Sequence, residues 1–152
     1  MTNVSYYAIP AIFLQTLVAS NRGAVVRYGV RNNVSPRTTL EYMEKSGKFD
    51  KKVVNMLKRR QAAHENCTEN QPIMFAAIIA GNMAGLSTTF MNTVSIAYFV
   101  LRCLYIIAYI KIDTPKMSFL RSIIYWGCNF CFLTTFVKAG NRLNESGFKL
   151  HL

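Results

Sequence analysis

The sequence predicts an all-α integral membrane protein, a single-domain bundle of four helices spanning residues 1–152. Three observations carry that reading. Hydrophobic residues make up 51% of the 152 and come in blocks, as in a polytopic membrane chain. Mean hydropathy is positive. Eleven of the eighteen basic residues lie between Arg22 and Arg60, against only Glu41, Glu44 and Asp50 in the same interval. In a soluble protein a net charge of +11 would suggest nucleic acid. This placement is instead that of a positive-inside loop, which favours anionic lipid or an anionic ligand at the cytoplasmic face. No RNP, finger or basic-zipper pattern is present, so no nucleic-acid partner is expected.

The first span is expected at about residues 6–30. An apolar segment from Tyr6 to Ala19 contains Pro10, and an amphipathic continuation reaches about Val30. A signal peptide cleaved at Val18-Ala19-Ser20 is the rival reading. The missing basic leader and the further spans favour a retained helix. Asn33-Val34-Ser35-Pro36 breaks the helix, because Pro36 disfavours α geometry at Ser35. Residues 36–52 read as a polar loop with Gly47 as its turn, and Val53–Leu57 begins the next helix.

That helix continues to about Met91, with the span itself at about residues 66–91. Gly81 and Gly85 form the close-packing pattern Gly-x-x-x-Gly. An uncharged connection near Leu86–Thr93 leads to a third span at about 94–110. Lys111–Lys116 is a short basic turn, and a fourth span covers about 119–137. Both cytoplasmic connections are then basic and both termini lie outside. The tripeptides Asn3-Val4-Ser5 and Asn144-Glu145-Ser146 match the glycosylation pattern on that outer side.

The stretch Arg59 to Pro72 carries polar groups to the edge of the second span. At 100° per residue, Arg59, Asn66, Glu69 and Asn70 share one helical face. A carboxylate at the mouth of a membrane helix is expensive, which marks Glu69 as a functional candidate. His64 reads as an orienting or surface group rather than a general base. Cys128-Asn129-Phe130-Cys131 has CxxC spacing but no second pair and no nearby histidine, so no metal site is expected and the thiols read as packing groups.

In the third span, Tyr98, Arg102, Tyr105 and Tyr109 fall on one stripe. An arginine in mid-stripe must face the bundle and find a counter-charge, and Glu69 is the nearest acidic candidate. The fourth span adds Arg121, Ser122 and Tyr125. Arg27, Asn66, Glu69, Arg102, Tyr105, Tyr109, Arg121 and Tyr125 are thus expected to converge at the cytoplasmic ends. Three arginines and several hydroxyls in a low-dielectric cleft suit a small, multiply charged anion.

The combination Asn66-Cys67-Thr68-Glu69-x-x-Pro72, an apolar span with Ala-Gly, and Arg102-x-x-Tyr105-x-x-x-Tyr109 resembles the membrane-associated proteins in eicosanoid and glutathione metabolism (MAPEG). That family includes microsomal glutathione transferases, leukotriene and prostaglandin E synthases, and a non-enzymatic lipoxygenase-activating member. The likeness covers about residues 6–138. It implies a homotrimer of four-helix protomers in the endoplasmic reticulum membrane, with glutathione as cofactor in a cleft between subunits. By the same resemblance Asn66, Glu69, Tyr105 and Tyr109 would hold glutathione and Arg27 would meet a carboxylate. Arg121, flanked by Ser122 and Tyr125, would stabilise the thiolate.

Two function classes follow. One is a glutathione-dependent transferase or peroxidase acting on hydrophobic electrophiles or lipid hydroperoxides drawn from the bilayer. The other is a non-catalytic lipid-binding or scaffolding member of the same fold. Ala62 stands where family enzymes often carry arginine and Glu65 where some synthases do, and both favour the second class. The Arg121–Tyr125 pair favours the first.

Overall fold

The structure, a computed structural model, describes residues 1–145 and Gly147. Among these residues every regular element is helical: α1 (Ala8–Ala19), α2 (Arg22–Val26), α3 (Thr39–Lys45), α4 (Lys51–Met83), α5 (Thr88–Lys111) and α6 (Pro115–Glu145), with 3₁₀ turns at Ser5–Tyr7 and Pro36–Thr38. Helices α4, α5 and α6 pack against one another, and α1 lies against α4 and α5. The main core joins Ile12 of α1, Met74 and Ile78 of α4, Val94 and Tyr98 of α5, and Cys128, Cys131 and Phe132 of α6. Cys128 is fully buried there and Cys131 nearly so, as small packing thiols.

The first span is two helices, not one. The backbone turns extended at Ser20 (ψ 155°), ending α1, and α2 stops at Val26 before Gly29 takes a positive φ of 74°. The break therefore comes earlier than Pro36, because glycine accepts the left-handed conformation that ends a helix. Pro10 sits in the first turn of α1, where its missing N–H costs little.

Residues 36–52 are not simply a loop either. They contain α3, whose Met43 is fully buried in a second core with Val25, Val30, Val54 and Leu57. This small core ties α2 and α3 to the first turns of α4 as an ordered cap. Gly47 does make the expected turn (φ 63°), and the Asp50 side chain caps α4 by accepting from Lys52 N at 2.8 Å. Arg59 and Arg60, adjacent on α4, serve two different helix ends. Arg59 donates to the carbonyl of Ile110 at the end of α5 (3.2 Å), and Arg60 to the carbonyls of Val18 and Ser20 at the end of α1. Cations at helix C-termini complement the dipole there.

Helix α4 ends at Met83 rather than Met91, and the connection is Ala84–Ser87 rather than Leu86–Thr93. Gly85 adopts φ 70°. Leu86 N donates to Gly81 O and Gly85 N to Asn82 O, both at 3.0 Å, which closes the helix in a Schellman arrangement. Ser87 then caps α5 through Phe90 N. The Gly-x-x-x-Gly pattern thus splits into two roles. Gly81 packs: a Cβ there would stand 2.7 Å from Met91 Sδ and 2.9 Å from Thr135 Cγ2. Gly85 only turns, with open space around it.

Two stretches, Ser5–Val26 and Thr88–Lys111, are long and apolar enough to cross a membrane. In α4 the apolar run before the helix end is Ile73–Met83, preceded in the same helix by the polar stretch Arg59–Pro72. In α6 the run is diluted by Arg121, Ser122, Tyr125 and Asn129, and the helix continues past Val137 to Glu145.

At the opposite end from the cap, residues 2–5 are stapled across α4 and α5. Asn3 Nδ2 donates to Asn82 Oδ1 (2.6 Å), Asn82 Nδ2 to Ser5 Oγ (2.9 Å), and Val4 N to Asn92 Oδ1 (2.8 Å). The Asn3-Val4-Ser5 tripeptide is therefore engaged in packing, with Ser5 fully buried. Asn144 is exposed on α6, and Ser146 of its tripeptide lies outside the described residues.

Candidate functional site

The site is built around Arg102 on α5. Its side chain is 1% exposed, yet no carboxylate among the described residues pairs with it. Nη1 donates to Asn66 Oδ1 of α4 at 3.0 Å and Nε to Tyr98 Oη at 3.2 Å, while Nη2 has no partner. The guanidinium carbon also sits 5.3 Å from the ring centroids of Tyr98 and Tyr105 and 6.0 Å from that of Tyr125 on α6. Three aromatic faces stand where an ion pair was expected. Each stacks favourably on a cation by ~0.5–2 kcal/mol.

The expected Arg102–Glu69 pair does not form. On α4, Asn66 and Asn70 lie within 20° of Arg59, toward α5, but Glu69 is rotated a further 60° and is exposed. Among the described residues the ion pairs are Lys45–Glu41 and Lys58–Glu44, both exposed and both on the cap. Asn70 turns inward with Nδ2 unpartnered, so α4 and α5 each present an orphaned buried nitrogen donor.

From Arg102 an aromatic chain leads toward the cap. Tyr105 lies 5.3 Å from Tyr109 and 6.3 Å from Tyr125, centroid to centroid. Arg121, in the second turn of α6, stacks 4.4 Å above the Tyr109 ring. The two helices run antiparallel, which brings Arg121 and Tyr125 beside Tyr109 and Tyr105. The structure therefore gathers Asn66, Arg102, Tyr105, Tyr109, Arg121 and Tyr125 in one continuous cluster. Ser122 faces outward, exposed, beside it.

Arg27 and Glu69 are not in this cluster. Arg27 follows the end of α2 and lines a small groove of about 230 Å³ with Val18, Gly23 and Arg60. Glu69 lines a separate groove of about 780 Å³ between α4 and the segment from Ser20 to Leu40. His64 lines the same groove, and its Nδ1 lies 2.9 Å from the carbonyl of Thr16, which orients the ring against α1. Of the expected convergence, the fold brings together six members and leaves Arg27 and Glu69 on other surfaces.

Pro72 lies inside α4 without ending it. Lacking an N–H, it leaves the carbonyl of Thr68, the residue just before Glu69, without its usual helical partner. Asn66 as the Arg102 partner was within reach of the sequence, since it shares the Arg59 face. Asn70 shares that face as well, but that its amide is left without a partner was not legible, because periodicity does not say which polar groups meet.

An all-helical chain with two membrane-length apolar helices and a buried arginine among tyrosines belongs to the membrane-bundle class of proteins. The MAPEG family model matches residues 4–140, nearly the whole chain. The chain is a member of the MAPEG family. Comparison with curated proteins and with solved structures returns no match.

Proposed function

We propose that the protein is a membrane-bound, glutathione-dependent transferase or peroxidase acting on hydrophobic electrophiles or lipid hydroperoxides. The observation that carries this reading is Arg121 stacked on Tyr109 at the mouth of a cluster whose buried cation, Arg102, keeps a free donor. Glutathione carries two carboxylates and an ammonium, and the donor set fits it. Asn66, Arg102, Tyr105, Tyr109 and Tyr125 would hold and orient it, with Ser122 beside Arg121. When bound it supplies a thiol nucleophile.

A free thiol has a pKa near ~8.5, so little thiolate exists at neutral pH. Lowering it by about two units takes roughly 2.7 kcal/mol of differential stabilisation. Arg121 is the residue assigned that role. Its guanidinium offers a planar donor fork, and one tyrosine face already excludes water from one side.

The assembly proposed is a homotrimer of four-span protomers in the endoplasmic reticulum membrane, the whole chain forming one transmembrane domain with both termini lumenal. Two features support it. Arg27 and Glu69 lie on surfaces away from the cluster, so a neighbouring subunit is needed to complete a cleft. Large apolar side chains also face outward on α5 and α6, including Leu104, Ile107, Phe119, Trp126 and Phe130, as a lipid or subunit contact requires.

The second reading, a non-catalytic lipid-binding member, is favoured by Glu65, which adds an acid beside Glu69 in the larger groove. The deciding experiment assays the purified protein with glutathione and either a chloronitrobenzene or cumene hydroperoxide. Conjugation or peroxide reduction supports the enzyme. Glutathione binding without either product leaves the second reading.

A further inference from the structure

Tyr98 belongs to the polar stripe of α5 yet has no assigned part in the glutathione site. It is fully buried, one helical turn before Arg102, in the main core with Ile12, Met74, Ile78, Val94 and Phe132. Close packing by side chains from α1, α4, α5 and α6 leaves its ring one place to stand. Only the hydroxyl is polar, and it accepts from Arg102 Nε at 3.2 Å. Tyr98 Oη has no second hydrogen bond among the described residues.

Arginine is a long side chain whose flat guanidinium carries its donors in a rigid fork. One hydrogen bond leaves such a fork free to swivel, whereas two on different nitrogens fix its plane. Tyr98 holds Nε from within α5, and Asn66 Oδ1 holds Nη1 from α4 at 3.0 Å. The Tyr98 and Tyr105 rings also lie against the guanidinium, each centroid 5.3 Å from its carbon. The orientation is thus set twice over, and Nη2 is the nitrogen left without a partner. A buried donor without a partner calls for an explanation, and a binding role supplies one. Packing does not account for the Tyr98 hydroxyl. A phenylalanine at this position would fill the same core and present the same aromatic face to the cation.

We propose that Tyr98 is a positioning residue for the ligand site: its hydroxyl, with the Asn66 amide, fixes the Arg102 guanidinium so that Nη2 is kept for a carboxylate of glutathione. This rests on the glutathione reading and deepens it. Tyr98 touches no ligand and acts through Arg102 alone.

The test uses full-length protein in detergent and two readouts. The first is the nuclear magnetic resonance signal of Arg102 Nε–H in arginine-labelled protein, recorded without glutathione and assigned by its loss in Arg102→Met. The parent should give a resolved, slowly exchanging signal, and Tyr98→Phe should lose it. The second readout is glutathione affinity by calorimetry. Tyr98→Phe should bind about three- to tenfold more weakly, the range of one ordinary hydrogen bond. The thiolate signal per bound glutathione should stay at the parent's level, because Arg121 is untouched. Tyr98→Phe/Arg102→Met should bind no more weakly than Arg102→Met, since a residue that acts through another adds nothing once that other is gone.

Parent-like affinity in Tyr98→Phe would overturn the proposal, and so would additive losses in the double variant. A Tyr98→Phe protein that melts far below the parent but binds normally would make the hydroxyl a structural strut. Fast exchange of Arg102 Nε–H in the parent would overturn the positioning without any variant. A parent that binds no glutathione sinks the glutathione reading instead, and the Nε–H signal then decides by itself whether Tyr98 fixes Arg102.

Discussion

Arg102 Nη1 donates to Asn66 Oδ1 at 3.0 Å, joining α5 to α4 through a buried cation that no carboxylate among the described residues neutralises. Removing a charge from water costs several kcal/mol. Against that stand a charge-assisted hydrogen bond of ~1.5–3 kcal/mol and three tyrosine faces. The two sides nearly cancel, so Arg102 adds little net stability.

Arg102→Met should accordingly fold, with stability within about 1 kcal/mol of the parent in a detergent melt. Glutathione affinity should fall at least tenfold in the same variant. A collapse in folded yield, with binding intact in the surviving fraction, would mean that the arginine is a structural strut.

Gly81 and Gly85 should separate by substitution. Gly81→Ala pushes a methyl group into Met91 Sδ at 2.7 Å and Thr135 Cγ2 at 2.9 Å. Met91 can swing away but the β-branched Thr135 cannot, so a loss of ~1–3 kcal/mol is expected. Gly85→Ala meets no neighbour, and its cost is the left-handed backbone alone, ~1–2 kcal/mol. Thermal melts of the two check the magnitudes. Assembly is the second readout, and Gly85→Ala should leave it unchanged.

Much of the cluster's geometry was legible from the chain. Tyr98, Arg102, Tyr105 and Tyr109 lie on one stripe because helical periodicity is rigid, and the antiparallel return places Arg121 and Tyr125 opposite. What failed was the partner of Arg102. A 100° step separates Glu69 from Asn70, and one step decides whether a side chain faces α5 or the groove. The end of α4 was misplaced for a different reason. Gly85 and Ser87 are a C-cap and an N-cap two residues apart, but the apolar run through Leu86 and Met91 masks them. Residues 36–52 looked like loop because α3 has only seven residues and buries only Thr39 and Met43, too short a run for a period to show.

Topology can be read with thiol reagents. Cys67, Cys128 and Cys131 are buried and Cys103 is half-buried, with Gln15 Nε2 on its sulfur at 2.7 Å. A Lys48→Cys variant should therefore label well above background. In sealed microsomes it should react with an impermeant maleimide from the cytoplasmic side. Protection of that site, with an accessible C-terminus, would invert the proposed arrangement.

Trimer formation is checked by native mass spectrometry in mild detergent. A threefold mass is expected, because Arg27 and Glu69 need a second protomer to share a cleft with the Arg121 cluster. A persistent monomer that still binds glutathione would remove that argument.

The most direct test of glutathione chemistry at Arg121 is the ultraviolet difference signal of the bound thiolate at neutral pH. The parent protein should show it. Arg121→Ala should keep glutathione bound through Asn66, Arg102 and Tyr109 but lose most of the signal, with turnover falling ~10²–10³-fold. Arg121→Lys should recover only part, since an ammonium lacks the planar fork. Full thiolate signal and full turnover in Arg121→Ala would contradict the assignment.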